Sequence, residues 1–161
     1  MFVPRLARWF DGHPDRIVGA ALVGAIALAL FWYLASPLWI RTQRAEDAPT
    51  AATTLLRGEL RRVDGVHHGT GPVLVLRSGT RLLVRFESVS IANGPDLHVY
   101  LSKDAGGTYR EANAVYLGPL KATDGSFNYD VPAGVDLAQY RSVVVWCRNF
   151  ATLFTWADLA P

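Results

Sequence analysis

One cysteine stands in the whole chain, Cys147, inside the run Ser142-Val-Val-Val-Trp-Cys147. A thiol serves as nucleophile, ligand or redox group when its thiolate is reachable and a nearby cation stabilises it. Strand alternation puts Val143, Val145 and Cys147 on one face and Val144 and Trp146 on the other. Both faces are apolar, so the strand must be covered on both sides. An opposing sheet supplies one cover. The other is a loop, the final strand with Phe154 and Trp156, or a bound apolar ligand such as a porphyrin. Cys147 therefore reads either as a small buried hydrophobe or as a functional thiol, and the adjacent Arg148 points to the opposite face.

His98 is the second residue able to do chemistry. In Leu97-His-Val-Tyr-Leu101 the inward Leu97, Val99 and Leu101 leave His98 and Tyr100 sharing the other face. Trp146, Phe150 and Tyr100 are the candidate supporting residues of a site at Cys147 and His98. His67 and His68 are adjacent, so only one can face a given site, and solvent or hydrogen-bonded roles suit them. No C-x-x-C, H-x-x-x-H or haem-attachment pattern occurs, which leaves a closed zinc site and covalent haem without support. Asp64, Asp104, Asp124 and Asp136 fall in turns, where their side chains bond nearby backbone N–H groups. No calcium loop or nucleophile elbow accompanies them, and no turnover of its own is expected.

These residues need elements to hold them. Ile17 to Ile40 carries no charged residue and is long enough, as a helix, to cross a ~30 Å hydrocarbon core. Trp32, Tyr33 and Trp39 cluster toward its C-terminal end, where aromatic rings favour the water interface. The basic residues on its two sides nearly balance, and the N-inside orientation places the C-terminal part outside the cytoplasmic membrane. Residues 1–16 form a short head, 17–40 the anchor, 41–54 a polar, small-residue segment that reads as a flexible tether, and 55–161 one folded domain. The net charge of +2 comes from scattered arginines, and no nucleic-acid footprint is present.

In the folded domain, short alternating runs separated by turn residues predict strands over 59–63, 73–76, 82–86, 97–101, 114–117, 127–131, 143–147 and 153–159. About eight such strands argue an antiparallel β-sandwich. In the hairpin made by the second and third, Leu82, Val84 and Phe86 face inward, and Arg81 and Arg85 share a wet face open to lipid head groups or an acidic partner.

A resemblance adds to this. Gly94-Pro-Asp-Leu-His-Val-Tyr-Leu-Ser102, Tyr116-Leu-Gly-Pro-Leu-Lys121, Gly125-Ser-Phe-Asn-Tyr-Asp-Val-Pro132, Asp136-Leu137, Tyr140, Ser142 to Cys147, Phe150 and Phe154 together resemble the DM13 family. The chain departs from that pattern at Ala122-Thr123 and at Phe127. The resemblance implies an extracytoplasmic all-β domain, related to haem- or sugar-binding sandwiches, with electron transfer around a cysteine at the position of Cys147.

Two functions follow as expectations. One is a membrane-anchored redox or electron-transfer module in which Cys147 is a reactive thiol or a ligand near a haem or metal, with His98 second, beside a membrane redox partner. The other is a binding or structural module of the cell envelope with a core cysteine and a sugar, polymer or protein ligand, in which Tyr109, Tyr116 and Tyr129 matter most.

Overall fold

A computed structural model describes residues 14–36 and 40–161, Leu34 by its backbone alone. The chain divides into two units, the first ending at Pro37 and the second running from Leu38 to Pro161. Helix α1, Pro14–Ala35, makes up the described part of the first. It opens on proline, whose missing N–H is no loss in the first turn, and carries Asp15 where the helix dipole favours a negative charge. From Pro14 to Tyr33 it is long and apolar enough to cross a membrane. Ile17, Leu22, Ile26 and Trp32 are all exposed on it. The helix begins three residues before the apolar run does; Pro37 and Trp39 lie outside the described residues.

The second unit is a sandwich of two sheets. Its strands are β1 (Gln43–Ala45), β2 (Thr53–Glu59), β3 (Arg61–Arg62), β4 (Gly69–Thr70), β5 (Pro72–Ser78), β6 (Arg81–Ile91), β7 (Leu97–Ser102), β8 (Ala114–Pro119), β9 (Asp124–Asp130), β10 (Ser142–Cys147) and β11 (Thr152–Asp158). One sheet has the order β1-β9-β6-β5-β2, with β4 also on β6; the other has β3-β11-β10-β7-β8. The inner faces supply a core in which Phe86 stacks on Phe127 at 5.1 Å, both fully buried. Val84 and Phe86 point into it as the hairpin alternation requires.

The eight expected strands are present, and three more accompany them. β2 reads poorly because it is an edge strand without a fully buried position. β1 and β4 are too short to show a period.

β1 also corrects the expected flexible tether. Arg41 grips Asp124 with Nε and Nη2, each at 2.6 Å. The guanidinium holds that carboxyl below the usual carboxylate range. Gln43 to Ala45 pair in parallel with Asp124 to Ser126. Glu46 then accepts from Lys121 Nζ at 3.0 Å and from the Asn128 N–H at 2.8 Å. Burial pushes the Glu46 carboxyl up, but these donors outweigh it and the net shift is downward. Gly125 makes the approach possible. Its φ is +107°, and a Cβ there would lie 2.0 Å from the Arg44 carbonyl oxygen. A polar, small-residue composition describes what a segment can do alone, and here the ordering partners lie far along the chain.

The same strap overturns the wet-face reading of Arg85. Its residue is only 5% exposed, and Nη1 donates to the Glu46 carbonyl at 3.2 Å and to Asn128 Oδ1 at 3.0 Å. Arg81 stays at the surface, ion-paired with Asp130. Only Arg81 of the two is open to a partner.

Candidate functional site

β10 runs between β11 and β7. Val143, Val145 and Cys147 point into the core with zero exposure. Cys147 sits opposite Leu97 of β7 and Thr152 of β11. Among the described residues no side chain hydrogen-bonds its thiol. His98 pairs with Trp146, one residue away, so it lies on the other face of the sheet. Cys147 and His98, expected at one centre, are therefore on opposite sides of β10. Phe150 is 69% exposed in the turn beyond the strand and joins neither.

What the structure does bring together is the outer face of this sheet. His98 is 9% exposed, with Nδ1 2.9 Å from the Tyr116 hydroxyl and Nε2 2.7 Å from Asp96 Oδ1. An ionised carboxylate only accepts, so Nε2 carries the hydrogen, and in the neutral imidazole Nδ1 accepts from the Tyr116 O–H. Arg148 donates from Nε to the Tyr100 hydroxyl at 2.6 Å and lays its guanidinium over the Tyr116 ring, 4.4 Å from the centroid. Ring contacts connect the group: Trp146 to Tyr109 at 4.6 Å, Tyr109 to Tyr100 at 5.0 Å and Tyr100 to Tyr116 at 5.3 Å. The Tyr109 phenol is pushed well above its ordinary value, first by burial and then by its hydrogen bond with Tyr100.

Two backbone devices aim these side chains. The β7–β8 register pairs Val99 with Gly118 but Tyr100 with Tyr116, so Leu117 is an extra residue and the bulge brings Tyr116 to the outer face beside His98. Gly118 takes the φ of +143° that the bulge demands. The second device is the loop 103–113, which carries Tyr109. Asp104 pins it by accepting from Arg110 and from Asn113 Nδ2 at 3.0 Å, while the Ser142 hydroxyl donates to the Asp104 carbonyl at 2.7 Å. Of the covers open for the second apolar face of β10, the structure uses this loop together with Trp156, which pairs opposite Val144. Phe154 instead turns into the core at the bulge opposite Val145 and Trp146.

A groove of about 450 Å³ opens on this face between Tyr100, Tyr109, Glu111, Trp146, Arg148 and Ala151. Its walls can stack a flat or sugar-like surface and offer one cation. The residues do not fit a haem held by the expected ligands: both nitrogens of His98 are already engaged, and Cys147 faces the core. Nor do three His, Cys, Asp or Glu side chains converge on a metal site among the described residues.

Alternation put His98 and Tyr100 on one face and turned Trp146 and Arg148 away from Cys147, and the structure has them so. The sequence did not assemble these with Asp96, Tyr109 and Tyr116. The Asp96-x-His98 spacing was a usable signal, because a carboxylate in the turn two residues before an imidazole lies within reach of its ring. The bulge that presents Tyr116 leaves no mark in alternation.

No curated protein and no solved structure matches the chain. A family model described as "Electron transfer DM13" matches residues 61–159, from β3 to the end of the sandwich. That covers well over half of the chain and includes every residue of the outer-face cluster as well as Cys147, and the protein belongs to the DM13 family.

Proposed function

We propose that the protein is a single-pass, membrane-anchored electron-transfer module whose sandwich is displayed outside the cytoplasmic membrane, on the periplasmic or extracellular side. The observation that carries this reading is the unbroken line of ring contacts from Trp146 through Tyr109 and Tyr100 to Tyr116, which starts on the strand that bears Cys147 on its reverse. The family match and the apolar helix support it. Cys147 is the buried redox group. A thiol with no exposure cannot meet a bulky partner directly, so a membrane redox partner docks at the aromatic face on the other side of β10.

A second reading has one observation in its favour. Cys147 lies among apolar side chains with no cation beside it, which suits a core residue of an envelope-binding module whose ligand occupies the groove at Trp146 and Arg148.

Thiol labelling does not separate the two readings, because zero exposure makes the folded thiol inert in both. Voltammetry of the full chain in lipid nanodiscs does. A couple below the potentials of free tyrosine and tryptophan that disappears in a folded Cys147→Ala variant supports the redox reading. No couple in the wild type sinks it, and a couple indifferent to Cys147→Ala makes the cysteine core. Alkaline phosphatase fused to the C-terminus tests placement: an active fusion is expected, and an inactive but stable one overturns the outward orientation.

A further inference from the structure

We infer that Tyr116 is a redox-active tyrosine whose oxidation is coupled to proton transfer onto His98, with Asp96 positioning the imidazole. This rests on the electron-transfer reading for its biological use, and it supplies a group that can exchange an electron at the surface end of the ring line.

The chemistry follows from which tyrosine hydroxyl meets a base. Losing an electron makes a phenol strongly acidic, so the step is easy only where a proton acceptor already sits on the hydroxyl. Tyr100 is bonded to the Arg148 guanidinium, which cannot take a proton, and Tyr109 leans on Tyr100. Tyr129 donates to the Pro119 carbonyl at 3.0 Å and accepts the Lys121 N–H at 2.9 Å, and neither is a base. Tyr116 alone among these has an imidazole nitrogen on its hydroxyl, at 2.9 Å. Asp96 on the far nitrogen fixes the tautomer that leaves Nδ1 free to accept, and it stabilises the imidazolium once formed. Arg148 over the Tyr116 ring disfavours a positive charge on that ring, so electron loss without proton loss is suppressed. Tyr116 is 42% exposed while His98 is almost covered, so a partner reaches the Tyr116 side chain and the accepting imidazole stays shielded.

The balanced step is this. A high-potential one-electron oxidant on a partner takes one electron from Tyr116; its O–H bond breaks as an N–H bond forms at His98 Nδ1. A neutral tyrosyl radical and an imidazolium paired with the Asp96 carboxylate result. Return of one electron from a reductant, with the proton moving back from Nδ1 to oxygen, restores the start.

The test uses the full chain in nanodiscs, with photogenerated tris(bipyridine)ruthenium(III) as oxidant and electron paramagnetic resonance as readout. A tyrosyl radical absent from Tyr116→Phe is expected, formed with a solvent deuterium isotope effect. His98→Gln should slow its formation roughly a hundredfold, the scale of a positioned proton acceptor. Asp96→Asn, which keeps the shape of the side chain, should slow it less. In His98→Gly, added free imidazole should restore the rate, which a merely structural histidine would not permit. A Tyr116 radical indifferent to His98→Gln and to deuterium overturns the inference. A radical on Trp146 or Cys147 but never on Tyr116 overturns it while leaving the electron-transfer reading intact, and no side-chain radical at all removes both.

Discussion

On its inner side β10 presents Val143, Val145 and Cys147, each with zero exposure and none with a polar side-chain partner among the described residues. On its outer side, one residue out of phase, Trp146 meets the ring of Tyr109, at one end of a cluster that holds an imidazole with both nitrogens committed and a guanidinium. The inner face is held by exclusion of water and close packing, so any group there is shielded and changes charge only at high cost. The outer face is held by directed hydrogen bonds and ring contacts, which fix the geometry of polar groups at the surface. One strand thus separates the residue that the lone-cysteine signal favours from the residues equipped to move a proton.

That contrast can be broken most forcefully from the inside. Cys147→Asp puts an unpaired charge in the core and should remove several kcal/mol, a large share of a typical domain's stability. Arg148→Ala, one residue on, should cost far less, because its hydrogen bond to Tyr100 and its ring contact lie at the surface. Thermal unfolding of both variants checks this, and equal melting temperatures would erase the distinction between the faces. Next in size, Cys147→Ser should cost about 1–3 kcal/mol through its buried hydroxyl, with Cys147→Ala below it. In parallel, a polar maleimide should label wild-type Cys147 only after unfolding; rapid labelling of the native protein would show the inner face open. Smaller again is Tyr116→Phe, which removes one hydrogen bond and should cost about 1 kcal/mol while leaving Cys147 as unreactive as before.

The smallest effect expected is local and acid-dependent. Arg110, with Asn113, holds the Asp104 carboxyl below its ordinary range. A carboxyl whose folded value is lowered contributes stability in full above its unfolded value of about 4, and loses it as pH falls through the folded value. Hydrogen exchange, corrected for intrinsic rate, should therefore show loop 103–113 loosening below about pH 4 while β10 stays protected. Simultaneous loosening of both would mean that the outer cover and the core are one cooperative unit.

Much of this was legible in the chain. The apolar span follows from its unbroken run, and the sandwich, the inward set Leu82, Val84 and Phe86, and the opposite facing of Trp146 and Cys147 follow from periodicity, because burial imposes it residue by residue. Three things did not follow. The order of Arg41 to Glu46 depends on Asp124, Gly125 and Lys121, which composition near residue 41 cannot announce. Arg85 reads as wet because alternation reports which face a side chain takes, and not whether another segment later covers that face. Tyr116 reaches His98 through a single extra residue, Leu117, and a one-residue slip is what a period-two pattern cannot carry through.

Gly125 has a consequence for how this domain keeps to itself. Without β1, strand β9 would end its sheet with a row of open amides and carbonyls, a template for another copy. A fragment starting at Ala52 keeps β2 but lacks the strap and should self-associate in sedimentation, while one starting at Ile40 should remain monomeric. The stretch that joins helix to sandwich is in that sense a selvedge, sewn along the cloth so that it does not fray into its neighbours.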